Sequence, residues 1–258
     1  MLLTSAIFEP AFLESNDLFV ELYIPYGKDL DECVQWEPFV RTVHLPYSDI
    51  NLAADDENVR RKSIDMVKDV TVQAARYPQA RLMVLHPCGV FSFQGEEVGS
   101  YGHMIDSLRE LADFMCDRGL MLSLENQVLR HPDLRVIAGC YCDEWLQLYK
   151  DVGRSNVNLT LDTSHAASAV AHEEKVKDRY KKLWEFMEHP DLIAHFHWSD
   201  ARLQTNEAQW GDMHLVPGSG DLPRDFHRAI MQHRGSKLFE QKCSEAELAA
   251  GLEFVRSL

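Results

Sequence analysis

Six apolar segments of the chain carry an acidic or imidazole side chain at or near their C-terminal ends. TVHLPY (42–47) carries His44, and RLMVLHP (81–87) carries His86. LMLSLEN (120–126) brings Glu125, and VNLTLDTSH (157–165) brings Asp162 and His165. LIAHFHWSD (192–200) holds His195, His197 and Asp200, and KLFEQ (237–241) delivers Glu240. Asp212 and His214 stand two apart in Gly211-Asp-Met-His, so an extended segment would aim both the same way. Imidazole and carboxylate together suit Zn²⁺, Mn²⁺ or Fe²⁺, whereas Mg²⁺ and Ca²⁺ prefer oxygen alone. Carboxylates crowded at one place repel one another unless they are protonated or bind a cation. The plain alternative is a set of buried polar groups satisfied by neighbouring strands.

Something must bring these residues together. Two earlier runs, LLTSAIF (2–8) and FVELYIP (19–25), raise the number of strand-like segments to eight. Their near-continuous apolar content suits strands covered on both faces. Amphipathic helical patterns fall between most of them, at 57–77 behind Asp55-Asp56, at 104–118 and at 173–188. A last helix opens on the capping box Ser244-Glu-Ala-Glu247. This alternation predicts an α/β fold, a (β/α)8 TIM barrel occupying 1–258 as a single domain, with a shortened first β/α unit. An open doubly wound sheet is the rival, but no GxGxxG follows the first strand. Barrel active sites lie at the C-terminal strand ends, where the acidic and imidazole residues fall. The long irregular stretch 199–221 belongs to the same face.

Composition removes several classes. Lys+Arg is 26 and Asp+Glu 41, a formal net charge of −15, which argues against holding nucleic acid by bulk charge. No 18-residue apolar run is present, so no membrane span is expected. The start MLLTSAIFEPAF lacks a basic region, so no secretory signal is expected. The six cysteines are scattered, which fits reduced thiols and a cytoplasmic location.

The set HLPYSDINLA, LMVLHP, LSLEN, LTLDTSH, HFHWSDA, GDMH..PGSGD and LFEQ resembles the xylose-isomerase-like barrels over about residues 40–258. That superfamily includes sugar isomerases and epimerases and the endonuclease IV-type nucleases of abasic DNA. The isomerase branch implies one divalent metal, Zn²⁺ or Mn²⁺, held at the positions matching Glu125, Asp162, His197 and Glu240. The nuclease branch implies up to three metals, adding the positions matching His44, His86, His165, Asp212 and His214. The nuclease pattern continues after Glu-Asn with Thr-Ala-Gly-Gln-Gly, where this chain has Gln127-Val-Leu-Arg-His131. Ser48 and Asp49 follow Tyr47 where the nucleases carry a wedge for the duplex, and neither makes a good wedge.

The resemblance therefore implies an isomerase or epimerase of a sugar, sugar phosphate or keto-acid. One of Glu125 and Glu240 would take a proton beside a carbonyl to give an enediolate, and the other would return one. A dehydratase or lyase would share the first step. The remaining alternatives are a phosphodiesterase at abasic sites and a non-catalytic barrel binding metal or sugar. His195 is either a substrate contact or a packed barrel histidine, Asp200 an orienting group, Tyr47 and Trp210 pocket lining, and Trp198 either pocket lining or packing. His103, His172, His189, His227 and His233 read as solvated. A degenerate first unit would expose apolar surface and favour a homodimer.

Overall fold

The computed structural model describes residues 1–129, 138–205 and 207–258. His131 and the side chain of Trp210 lie outside the described residues. Among those described, eight parallel strands close into a barrel with each strand beside its sequence neighbours. They are β1 (Leu2–Ser5), β2 (Phe19–Tyr23), β3 (Val40–His44), β4 (Leu82–Leu85), β5 (Met121–Glu125), β6 (Val157–Asp162), β7 (Ile193–His197) and β8 (Ser236–Phe239). The helices are α1 (Pro10–Asn16), α2 (Glu57–Gln73), α3 (Tyr101–Cys116), α4 (Cys142–Val152), α5 (Thr163–Val170), α6 (Val176–Glu185), α7 (Arg224–Gln232) and α8 (Glu245–Arg256). The TIM-barrel expectation is met. The first unit is short, since α1 has only 7 residues. The second crossover holds a 3₁₀ helix, Leu30–Phe39, in place of an α-helix, and Pro38 inside it cannot supply an α-helical donor.

The strands are covered on both faces as expected, but one of the two faces is largely polar. Leu22, Val43, Met83, Leu122, Leu124, Leu159, Leu161, Phe196 and Phe239 are buried, and they alternate with polar residues of the other parity. That second set includes Glu21, Thr42, His44, Ser123, Glu125, Thr160, Asp162, His195 and His197. Strand register places Glu21 beside Thr42, Glu125 beside Thr160 and Asp162 beside His197. The apolar set packs toward the helices while the polar set faces the barrel interior and its mouth. β6 ends at Asp162, where the chain turns into α5 and carries His165 one turn on. The Asp162 carboxylate caps that helix by accepting the His165 N–H at 2.7 Å. Between β4 and α3 an antiparallel hairpin, Ser92–Phe93 with Glu96–Glu97, turns on Gln94 and Gly95, both at positive φ.

Helix ends follow the sequence closely. Asp56 caps α2 by accepting the Asn58 N–H at 2.8 Å. Ser244 and Glu247 form the reciprocal capping box of α8, whose Leu248, Leu252 and Val255 are buried. Replacing Ser244 by Ala should therefore lower unfolding free energy by about 0.5–2 kcal/mol with no change of fold. Equal denaturation midpoints for the two proteins would contradict it.

Candidate metal centre at the barrel mouth

Glu125, at the end of β5, is 1% exposed and stands among four imidazoles. His44 Nε2 and His86 Nε2 lie 3.2 and 3.1 Å from its Oε2. His165 Nδ1 and His197 Nδ1 lie 3.3 and 3.2 Å from its Oε1. The ends of the strands are latched where the backbone ladder stops. Asn126 accepts the Asp162 N–H at 2.7 Å and donates to the Asp162 carbonyl at 3.0 Å, joining β5 to β6. The Thr163 hydroxyl accepts the Ser199 N–H and donates to its carbonyl, joining β6 to the end of β7. Gln241 donates to the Trp198 carbonyl at 2.9 Å, joining β8 to β7.

His197 Nδ1 is the meeting point of the carboxylates. Besides Glu125 it has Glu240 Oε2 at 3.0 Å and Asp162 Oδ2 at 3.7 Å. His197 Nδ1, Asp162 Oδ2 and Glu240 Oε2 are buried atoms without a well-directed hydrogen bond from the protein. Buried polar atoms left this way ask for a partner, and two glutamates, an aspartate and an imidazole are a donor set suited to a divalent transition ion. Two further groups adjoin it. One consists of His44, His86 and Glu125, the other of Asp162, His165 and His214, each with ligand atoms within 4.8 Å of one another. Asp212 pairs with His214 and lies 3.5 Å from His165 Nε2. All nine expected ligand positions therefore gather at one mouth.

The electrostatics follow from burial and proximity. Burial works to raise the Glu125 carboxyl, but the charges of His197 and His86 hold it well below the usual carboxylate range. Burial works to lower His197, and Glu125, Glu240 and Glu21 carry it well above an ordinary histidine. Burial pushes Asp162 up to about 6 against the pull of His165 and His214. Burial opposes the charge on His165 and His214, yet the neighbouring carboxylates lift them to about 10 and about 9.

Several sequence expectations change. His195 is fully buried, with Nδ1 2.7 Å from Ser236 Oγ and Nε2 3.0 Å from Glu21, so it is a barrel-interior residue and not a substrate contact. Trp198 is packing, stacked on Phe239 and donating to His227. His227 is not solvated, for it is buried between Trp198 and Asp200. Tyr47 lies at the rim, stacked on Tyr23 and on His86 with ring centroids 5.1 and 5.0 Å apart. Glu21, which touches both His195 and His197, was not singled out by sequence because it lies inside its apolar run. A lone carboxylate in such a run was the available signal, since buried glutamates are almost always paired.

The chain matches the family described as xylose isomerase-like TIM barrel over residues 6–258. It belongs to that family. Its fold is that of a D-tagatose 3-epimerase-like protein, with TM-score 0.72 and 19% identity over 99% of this chain and 95% of the other. A D-psicose 3-epimerase from Clostridium cellulolyticum H10 gives TM-score 0.70 and 15% identity over 99% and 98%. In sequence the chain is similar to an uncharacterised protein of Methanocaldococcus jannaschii, 27% identical over 77% of this chain and 69% of that protein. It is also similar to a D-psicose 3-epimerase of Enterocloster bolteae, 24% identical over 67% of this chain and 50% of that one. Among the described residues of this xylose isomerase-like barrel no helix is long and apolar enough to cross a membrane.

Asp200 shapes the loop over the mouth. Its carboxylate accepts the N–H groups of Ala201, Gly218, Gly220 and Leu222 at 2.8–3.1 Å, with His227 Nε2 at 3.4 Å. A Cβ at Gly220 would meet Asp200 Oδ1 at 2.4 Å, so only glycine permits this approach. Burial works to raise Asp200, but His227 and the N–H groups of Gly220 and Leu222 hold it below the usual range. A depressed carboxyl contributes stability above its unfolded pKa, near 4, and loses it as pH falls through the folded value. Asp200→Asn should therefore cost about 1–3 kcal/mol at neutral pH, a gap that narrows in acid. Denaturant unfolding checks it, and an equal gap at neutral and strongly acid pH would contradict it.

Proposed function

We propose that the chain is a divalent-metal-dependent isomerase or epimerase of a sugar, sugar phosphate or keto-acid. The observation that carries this reading is the placement of Glu125 and Glu240, from β5 and β8, on the same nitrogen of His197 beside Asp162. Those four residues would hold one Zn²⁺ or Mn²⁺. The epimerase names borne by similar proteins support the reaction class.

A divalent ion in this donor set supplies Lewis-acid polarisation of a substrate carbonyl. The side chains do the proton work. Glu240 is 32% exposed at its side chain and faces the mouth, whereas Glu125 is sealed beneath the histidines. Burial works to raise Glu240, but His197 holds it below the ordinary carboxylate range, so it is ionised and able to accept the proton beside the carbonyl. Glu240 would return the proton to the neighbouring carbon of the enediolate, and return on the opposite face would fall to Glu125 after it takes a proton from a charged imidazole beside it such as His165. His165 and the rim tyrosines Tyr23 and Tyr47 line the approach. A lyase on the same site would share the first step.

One observation favours a second reading. The His197 group shares Glu125 with the His44–His86 group and Asp162 with the His165–His214 group, an arrangement suited to up to three ions and to phosphodiester hydrolysis at abasic DNA. Metal content per chain and cleavage of abasic duplex DNA separate the two. One ion with no cleavage fits the isomerase, and three ions with cleavage fit the nuclease.

With ketohexoses or ketopentoses in D₂O, the metal-loaded protein should exchange solvent deuterium at the carbon next to the carbonyl. Glu240→Gln should lower that rate roughly 100- to 10,000-fold with the fold retained. Wild-type exchange by the variant would refute the role given to Glu240.

A further inference from the structure

Glu21 stands on β2, across the barrel interior from His195 and His197 on β7. Its Oε1 lies 2.9 Å from His197 Nε2 and its Oε2 3.0 Å from His195 Nε2. The Thr42 hydroxyl donates to Oε2 at 2.7 Å, and Ser236 Oγ lies 2.7 Å from the far nitrogen of His195. Both imidazoles are fully buried and Glu21 nearly so.

We propose that Glu21 is a positioning residue that keeps the proton of His197 on Nε2 and so turns the Nδ1 lone pair toward Glu125, Asp162 and Glu240. This rests on the metal-dependent reading of that group. The two close contacts are bent away from the ring N–H directions, so the selection is electrostatic rather than a well-aligned hydrogen bond. A cation held by Glu125, Asp162 and Glu240 would exclude the proton from Nδ1, and a carboxylate oxygen 2.9 Å from a bare Nε2 would set lone pair against lone pair. A neutral imidazole carries one proton, so placing it at Nε2 leaves Nδ1 as the electron-pair donor.

Two other histidines of the mouth show the contrast. His44 and His165 keep Nδ1 against the backbone carbonyls of Leu45 and Asn126, at 2.8 and 2.7 Å. Each then presents Nε2, to Glu125 and to Asp212 respectively. His197 uses the opposite nitrogen, and a carboxylate holds its other one. A carboxylate behind an imidazole raises its strength as a ligand, and its removal costs about 10–100-fold in metal affinity. Glu21, His195 and His197 also bring ligand atoms within 4.8 Å of one another, so a separate ion between them is the competing outcome.

Two measurements test the proposal. Chelator-competition titration with Zn²⁺ should show Glu21→Gln binding as many ions as the wild type but roughly 10–100-fold more weakly. Long-range ¹H–¹⁵N correlation spectra of the Zn²⁺-loaded wild type should show the His197 proton on Nε2 and the shifted, ligated nitrogen at Nδ1. The spectra need no variant at Glu21, so they decide the matter even if Glu21→Gln does not fold. Unchanged affinity in a folded Glu21→Gln, or a His197 proton on Nδ1, would overturn the proposal. Loss of one whole equivalent of Zn²⁺ would overturn it in favour of an ion at Glu21 itself. A wild type that binds no Zn²⁺ or Mn²⁺ would instead bring down the metal-dependent reading, and this proposal with it.

Discussion

The mouth of the barrel is organised around one buried carboxylate. Glu125 is almost fully withdrawn from water, and four imidazoles stand within 3.3 Å of it. An unpaired carboxylate buried to that degree would take up a proton or unfold its surroundings. Its ionisation therefore requires His44, His86, His165 and His197, which come from β3, from just beyond β4, from α5 and from β7. Four different crossovers must be in register for the ring of imidazoles to close. Fold and site are in this sense one constraint.

The barrel meets that constraint by dividing its strands between two tasks. Residues of one parity bury leucine, valine and phenylalanine toward the helices. Those of the other parity place Glu21, Thr42, Ser123, Thr160 and His195 in the interior and the ligand set above them. Side chains then finish what the backbone ladder cannot. Asn126, Thr163 and Gln241 hold neighbouring strand ends together where the carboxylates and imidazoles emerge. Asp200 gathers the N–H groups of the glycine loop beside them. His44, Glu125, Asp162 and His197 thus sit on strands and His165 on a helix, while His86, Glu240, Asp212 and His214 stand in the connecting segments.

The outermost layer of the site was the most legible in the sequence. An acidic or imidazole residue ending an apolar run is visible without coordinates, which is why His44, His86, Glu125, Asp162, His197 and Glu240 could be placed on a common face. Glu21 escaped because it sits within its run and acts through another residue. His227 escaped because its neighbours Asp225 and Arg228 suggest a wet helix face, while its contacts, Trp198 and Asp200, arrive from a distant loop. The strands looked apolar on both sides because the helix-facing residues are large and the interior residues include short threonines and serines. The hairpin at Ser92–Glu97 is announced only by Gln94-Gly95, a weak turn signal.

The formal charge of −15 leaves the histidines uncounted, yet five of them join four acidic residues at this mouth. A cation held among them would offset much of that local charge. The most direct test is crystallographic. Crystals soaked in Mn²⁺ or Zn²⁺, measured on either side of the metal's absorption edge, should give an anomalous peak bounded by Glu125, Asp162, His197 and Glu240. A well-ordered mouth without a peak at that position, at saturating metal, would contradict the account.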